Sequence, residues 1–175
     1  VRRPGGNTYS EAVAATTRLI SETGKVPSLR DVAAKIAVPE TELIQLFPDA
    51  RHLMIATAES AMMLLQDKCI RTVVEADADD PLAQFEALAY AYVEWAYSHP
   101  REFRLIGSMP AGQFEGNDRL MRYEQSIHEL MYKLLQRAQG KNMLPAGENL
   151  TALIAVSHTY AYGVASKMLL GDLAR

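Results

Sequence analysis

The sequence predicts an all-α protein, a three-helix head followed by a larger helical bundle, on three observations. Apolar residues recur three and four apart from end to end. Almost nothing alternates at the period of two that a half-buried strand needs. The punctuation is helical, with small polar residues before apolar runs and Gly or Pro after them. An apolar share of 49%, with only 10 Gly and 8 Pro in 175 residues, is enough for a core and too much for a disordered chain.

The spacing predicts a first helix over about residues 10–23, with Ser10 or Thr8 as N-cap, Val13, Thr17 and Ile20 on one face, and Gly24 as the stop. Ser28 caps a second helix carrying Leu29, Val32, Ala33 and Ile36. A third spans about 39–46, with Pro39 in its first turn, where a missing N–H costs nothing. Leu43 and Leu46 point inward, and Phe47 closes the unit. A long helix runs from about Asp49 to Glu75, marked by Leu53, Ala56, Ser60 or Ala61, Leu64 and Lys68. "ADADDP" at 76–81 is an acidic linker. Beyond it, helices are expected at about 81–98, 100–107, 117–139 and 147–170, with "SMPAGQFEGND" and "GKNMLPAGEN" as the main loops. The expected domains are 1–54 for the head and 55–175 for the bundle.

The net charge of −3 argues against a chain coated in nucleic acid but allows a local footprint. Before Met54 there are 7 Lys/Arg against 6 Asp/Glu, and from Met54 on 11 against 15. One cysteine, Cys69, excludes an internal disulfide and fits a reducing cytosol. No signal-peptide pattern opens the chain, and residues 150–170, though apolar, carry His158, Gly163 and Lys167, so a cytoplasmic protein with no membrane partner is expected.

Residues 28–53, "SLRDVAAKIAVPETELIQLFPDARHL", have the spelling of a helix-turn-helix. With "AVAATTRLISETG" before them, residues 12–54 resemble the DNA-binding domain of TetR-type transcriptional regulators. Ser28, Arg30, Asp31, Val32, Ala33, Val38, Leu43, Phe47, Pro48 and Leu53 stand where that pattern wants them. "AYVEWAYSHPREFRLI" at 91–106 and "HTYAYGVASKMLLG" at 158–171 are similar to segments of the family's effector and dimerising helices. Three positions depart from the pattern: Ala37 replaces the turn Gly, Ile44 replaces a phosphate-contacting Tyr, and the Lys after the Phe is missing near Ala50.

The resemblance implies a homodimeric DNA-binding regulator, expected to be a repressor released by a small effector from a palindromic double-stranded operator. Phosphate contacts are expected from Arg2 and Arg3 as an arm, from Ser28 with its helix N-terminus, and from Arg30, Lys35 and Arg51. Thr41 and Gln45 suit a thymine methyl and an adenine edge, with Pro39 and Ile44 completing the surface. Glu40 and Glu42 favour their helix N-terminus by about 0.3–1 kcal/mol each, yet phosphates repel them; a Glu can still accept from a cytosine amino group. The competing expectation is a ligand-binding or interaction dimer whose head keeps its fold and has lost operator binding.

Dimerisation is expected along the last two long helices, through Leu120, Ile127, Leu130, Met131 and Leu134 on one, and Leu153, Ser157, Ala161, Val164 and Met168 on the other. Effector contacts are expected among Met62, Met63, Phe85, Tyr92, Trp95, Met109, Phe114, Tyr123, His128 and His158, with Tyr92, Trp95 and His128 foremost because each adds a polar handle. With no basic cluster among them, the effector should be largely hydrophobic. No catalytic residues, cofactor or metal site are expected. The four histidines show no His-x-x-x-His spacing, and neither a nucleophile elbow nor a phosphate-cradling Gly loop is present.

Overall fold

A computed structural model describes residues 6–109 and 111–170. Among them the fold is all-α, as expected, with no strand. In order the helices are α1 (Gly6–Thr23), α2 (Leu29–Ile36), α3 (Glu40–Leu46), α4 (Ala50–Glu75), α5 (Pro81–Ser98), α6 (Pro100–Ser108), α7 (Ala111–Phe114), α8 (Asp118–Gly140) and α9 (Leu150–Leu170). Contacts divide the chain into two compact units, Val1–Ala61 with Arg101–Leu120, and Met62–Pro100 with Met121–Arg175. Arg2 and Arg3 lie outside the described residues.

In the first unit, α1 and α2 pack against each other and both meet α3. Ala12, Val13, Leu29, Val32, Leu43, Phe47 and Leu53 are buried together, with Leu19, Ile36, Val38 and Leu46 around them. Val32 and Leu43 are wholly buried, and each such side chain contributes about 1.5–3 kcal/mol. α1 starts four residues before the predicted 10, so Thr8 and Ser10 lie inside it rather than capping it. Thr8 is buried, and its hydroxyl donates to Glu42 Oε1 at 2.7 Å, which draws it away from the backbone. Pro39 is the N-cap of α3 rather than its first helical residue, with extended backbone and a carbonyl that accepts from Glu42 N–H at 3.0 Å.

The turn after α2 answers how an alanine replaces glycine. Ala37 adopts φ 56°, ψ 46°, the left-handed region, and closes a Schellman pattern: Ala37 N–H donates to Ala34 O at 3.3 Å and Val38 N–H to Ala33 O at 3.1 Å. The helix end is satisfied, at the steric cost that a Cβ carries in that region.

In the second unit, α5 packs along α9. Leu135, Leu150 and Ile154 are buried together, flanked by Leu82, Phe85, Met131, Leu144 and Leu153. Asp80 caps α5, its Oδ1 accepting from Leu82 N–H at 3.0 Å and Ala83 N–H at 2.9 Å, with Pro81 in the first turn. The acidic linker is pinned from α8. Arg137 donates through Nη2 to Ala78 O at 2.8 Å and through Nη1 to Gln84 Oε1 at 3.0 Å, while buried Gln84 donates to Val73 O at 3.1 Å. Lys141 donates to Asp79 O. α9 starts at Leu150 rather than 147 because Asn149 Oδ1 takes the N–H of Ala152 at 3.0 Å. α7 is a single turn inside a stretch the sequence presents as loop. No described helix is long and apolar enough to cross a membrane.

Candidate nucleic-acid interface and ligand cavity

The outer edge of the helix-turn-helix starts at a capping box. Ser28 Oγ accepts from Asp31 N–H at 3.2 Å, and Asp31 Oδ2 accepts from Ser28 N–H at 2.9 Å and Ser28 Oγ–H at 2.6 Å. The Ser28 hydroxyl bond, then its N–H bond, hold the Asp31 carboxyl below the usual range. Ser28, Arg30, Pro39, Glu40, Thr41, Gln45 and Arg51 are exposed, and Ile44 is 48% exposed. Lys35 pairs with Glu22 at 3.5 Å. Asp49 caps α4, its Oδ1 2.9 Å from His52 N and 2.8 Å from His52 Nδ1, and those bonds, the backbone one first, hold its carboxyl low.

Glu42 differs from the exposed position the sequence suggested. It is half-buried, and its carboxylate faces α1 through the Thr8 bond, because α1 extends far enough to reach it. Beside it the Tyr9 ring lies 4.9 Å from that of Phe47. Burial, then the Glu59 carboxylate, push the Tyr9 hydroxyl above its usual value against the opposing pull of Arg119.

The second unit holds a cavity of about 240 Å³ that is partly open to solvent, with Glu124, His128, Thr151, Ala155 and His158 of its wall exposed. α4 supplies Met62, Leu65 and Cys69 to its wall; α5 supplies Phe85, Leu88, Ala89 and Tyr92; α8 supplies Glu124, Ile127, His128 and Met131; α9 supplies Thr151, Ile154, Ala155, Ser157, His158 and Ala161. Burial pushes the Cys69 thiol up to about 11 and the Tyr92 hydroxyl further above its ordinary value, so both are neutral. The Tyr92 ring meets His158 edge-on at 5.7 Å.

Met62, Phe85, Tyr92, His128 and His158, five of the positions the sequence suggested for an effector, thus share one wall. Met63, Trp95 and Tyr123 are outside it, and Met109 and Phe114 belong to the other unit. Met63 is exposed; Trp95 is buried beside Tyr92 at 6.2 Å and stacked on His99 at 6.2 Å, whose Nδ1 lies 3.2 Å from Trp95 O. Leu65, Cys69, Leu88 and Glu124 escaped sequence reasoning, although Leu65, Leu88 and Glu124 each sit three or four residues from a wall residue that was named, and Cys69 lies two turns on from Met62.

Among the residues suggested for dimerisation, Leu120, Leu134 and Ala161 are buried in the single chain and unavailable to a partner. Ile127, Met131, Ser157 and Ala161 line the cavity, Leu153 packs into the core beside it, Leu130 and Val164 are half-buried, and Met168 is exposed. The outer face of α9 instead presents Val156, 68% exposed, and Tyr160, 74% exposed. The described residues contain no group of three His, Cys, Asp or Glu placed to hold a metal.

A helix-turn-helix unit followed in the chain by a helical unit with an apolar cavity has the plan of a transcriptional regulator. Residues 85–175 match the family model described as tetracyclin repressor-like, C-terminal domain, and the chain belongs to the TetR family of transcriptional regulators. No curated protein matches it in sequence. Among solved structures it is similar to a Rhodococcus protein of unknown function, at 24% identity and TM-score 0.82, covering 97% of this chain and 87% of that one. It is also similar to the fatty acid degradation regulator from Bacillus halodurans (13% identity, TM-score 0.80, 99% and 89% covered). The ketosteroid transcriptional regulator of Mycobacterium tuberculosis matches at 13% identity and TM-score 0.70, with 98% and 93% covered. At these identities the likeness is one of fold.

Proposed function

We propose that the chain acts as a homodimeric repressor that binds a palindromic operator and is released by a small, largely hydrophobic effector. One observation carries this: the edge formed by Ser28, Arg30, Pro39, Glu40, Thr41, Ile44, Gln45 and Arg51 lies in solvent, on a scaffold whose inward positions are filled. Glu42 turned toward α1 supports it, since the acidity of the α3 tip falls largely to Glu40, which can accept from a cytosine amino group. Dimerisation through the outer face of α9 would set two heads on two half-sites. The apolar wall suits a hydrophobic effector, and two fold neighbours are regulators named for fatty acid degradation and for ketosteroids. Differential affinity of the effector for the DNA-free state then drives release.

Exposed Ile44, where the family carries a phosphate-contacting Tyr, favours the second reading, a ligand-binding dimer with a silent head. A random-oligonucleotide selection at two salt concentrations separates the two. Enrichment of a palindrome supports the repressor; weak, sequence-blind retention that salt abolishes rejects it in favour of the silent head.

A further inference from the structure

On the reading of the cavity as the effector site, its wall also selects the charge of the occupant. Among the described residues, Glu124 is the one Asp, Glu, Lys or Arg lining it, with His128 and His158 as the imidazoles of the same wall. Glu124 is exposed, and its carboxylate forms no ion pair or hydrogen bond among the described residues, so water alone solvates it there. Cys69 and Tyr92 are neutral for the reason given above and add no second negative charge. An anion entering the cavity would shed water, meet a carboxylate and find no Lys or Arg in return. A cation would gain a charge-assisted hydrogen bond at Glu124, with the rings of Phe85 and Tyr92 in the same wall.

Size narrows the class further. A cavity of about 150 Å³ holds benzene, so 240 Å³ suits about ten non-hydrogen atoms by the same measure. We propose that the cavity takes a lipophilic amine of that size, its protonated nitrogen paired with Glu124 and its apolar body among Met62, Leu65, Phe85 and Leu88. Free fatty acids and other lipophilic anions are disfavoured in the same space.

Three probes on one skeleton test this by calorimetry with the full chain: 4-phenylbutylamine, 4-phenylbutanol and 4-phenylbutyrate. Measurements at about pH 8 keep the amine probe protonated. The amine should bind about fivefold more tightly than the alcohol, and the carboxylate about fivefold more weakly, with both gaps shrinking as salt is added. Glu124→Gln should bring amine and alcohol within about twofold of each other, with the unliganded melting temperature unchanged because the residue is exposed. An amine no tighter than the alcohol, or a preference that survives Glu124→Gln, overturns the charge assignment while alcohol binding keeps the cavity as a ligand site. Binding by none of the three, or binding indifferent to Ala89→Phe in a variant that still melts cooperatively, overturns the cavity reading as well.

Discussion

Ala37 holds a left-handed conformation that costs a residue with a Cβ about 1–2 kcal/mol. Ala37→Gly removes that cost while adding backbone entropy to the unfolded chain, so a net gain of about 0.5–1 kcal/mol is expected, raising Tm by about 1–4 °C. Unchanged or lower Tm would show that the turn tolerates its Cβ freely. Asp31 gives a pH prediction. Its folded pKa lies below the ordinary carboxylate value, so its contribution is present above about pH 4 and is lost as pH falls through the lowered folded value. Ser28→Ala, which removes the largest cause of that lowering, should flatten this acid limb in urea unfolding followed from neutral pH downward. It should also cost about 1 kcal/mol at neutral pH through the lost cap. At this scale the sequence was partly legible: Ser28 and Asp31 spell their own capping box at fixed spacing. The Thr8–Glu42 bond joins residues 34 apart, and no local pattern announces it.

Between helices, the clearest energetic statement is the clamp on the linker. Arg137 satisfies the carbonyl of Ala78 and the amide oxygen of buried Gln84 at once. Arg137→Ala leaves the Gln84 oxygen unpaired and releases the Ala78 carbonyl, and should cost about 1.5–3 kcal/mol in urea unfolding. A loss below about 0.5 kcal/mol would mean that water replaces the guanidinium. Composition presents "ADADDP" as a solvated boundary, and its carboxylates are indeed mostly exposed; what it hides is that the backbone beneath them is held by α8. Helix existence and approximate limits were legible because periodicity and caps are local. Helix rotation was less so. Trp95 and Tyr92 lie on the same helix three residues apart, yet one lines the cavity and the other stacks on His99 beside it. That difference is set by neighbouring helices rather than by either residue's type.

For the molecule as a whole, the plan of head and bundle was readable because several spaced features agreed over some forty residues, and the family match bears out the membership they implied. Interface and core positions were not separable in α8 and α9, since one apolar stripe looks the same whether a neighbour in the chain or a second copy covers it. Within α8 and α9, the large apolar side chains most exposed among the described residues are Val156 and Tyr160. The double substitution Val156→Asp with Tyr160→Asp should convert a dimer to a folded monomer in sedimentation equilibrium and abolish operator binding; a persistent dimer would direct attention to another face. On the operator, Arg30→Ala and Arg51→Ala should each lower the slope of log K against log salt by about 0.9 if each contacts one phosphate. A slope unchanged by both would remove them from the interface.

The inward turn of Glu42 also bears on redesign. Along α3, positions 40, 41, 44 and 45 face solvent while 42 and 43 are committed to the neighbouring helices. A library aimed at new operators can therefore vary those four codons freely and should keep Thr8 and Glu42 fixed. Diversity introduced at 42 would mostly forfeit the Thr8 bond, at about 0.5–1.5 kcal/mol of stability, and return little change in the surface offered to DNA.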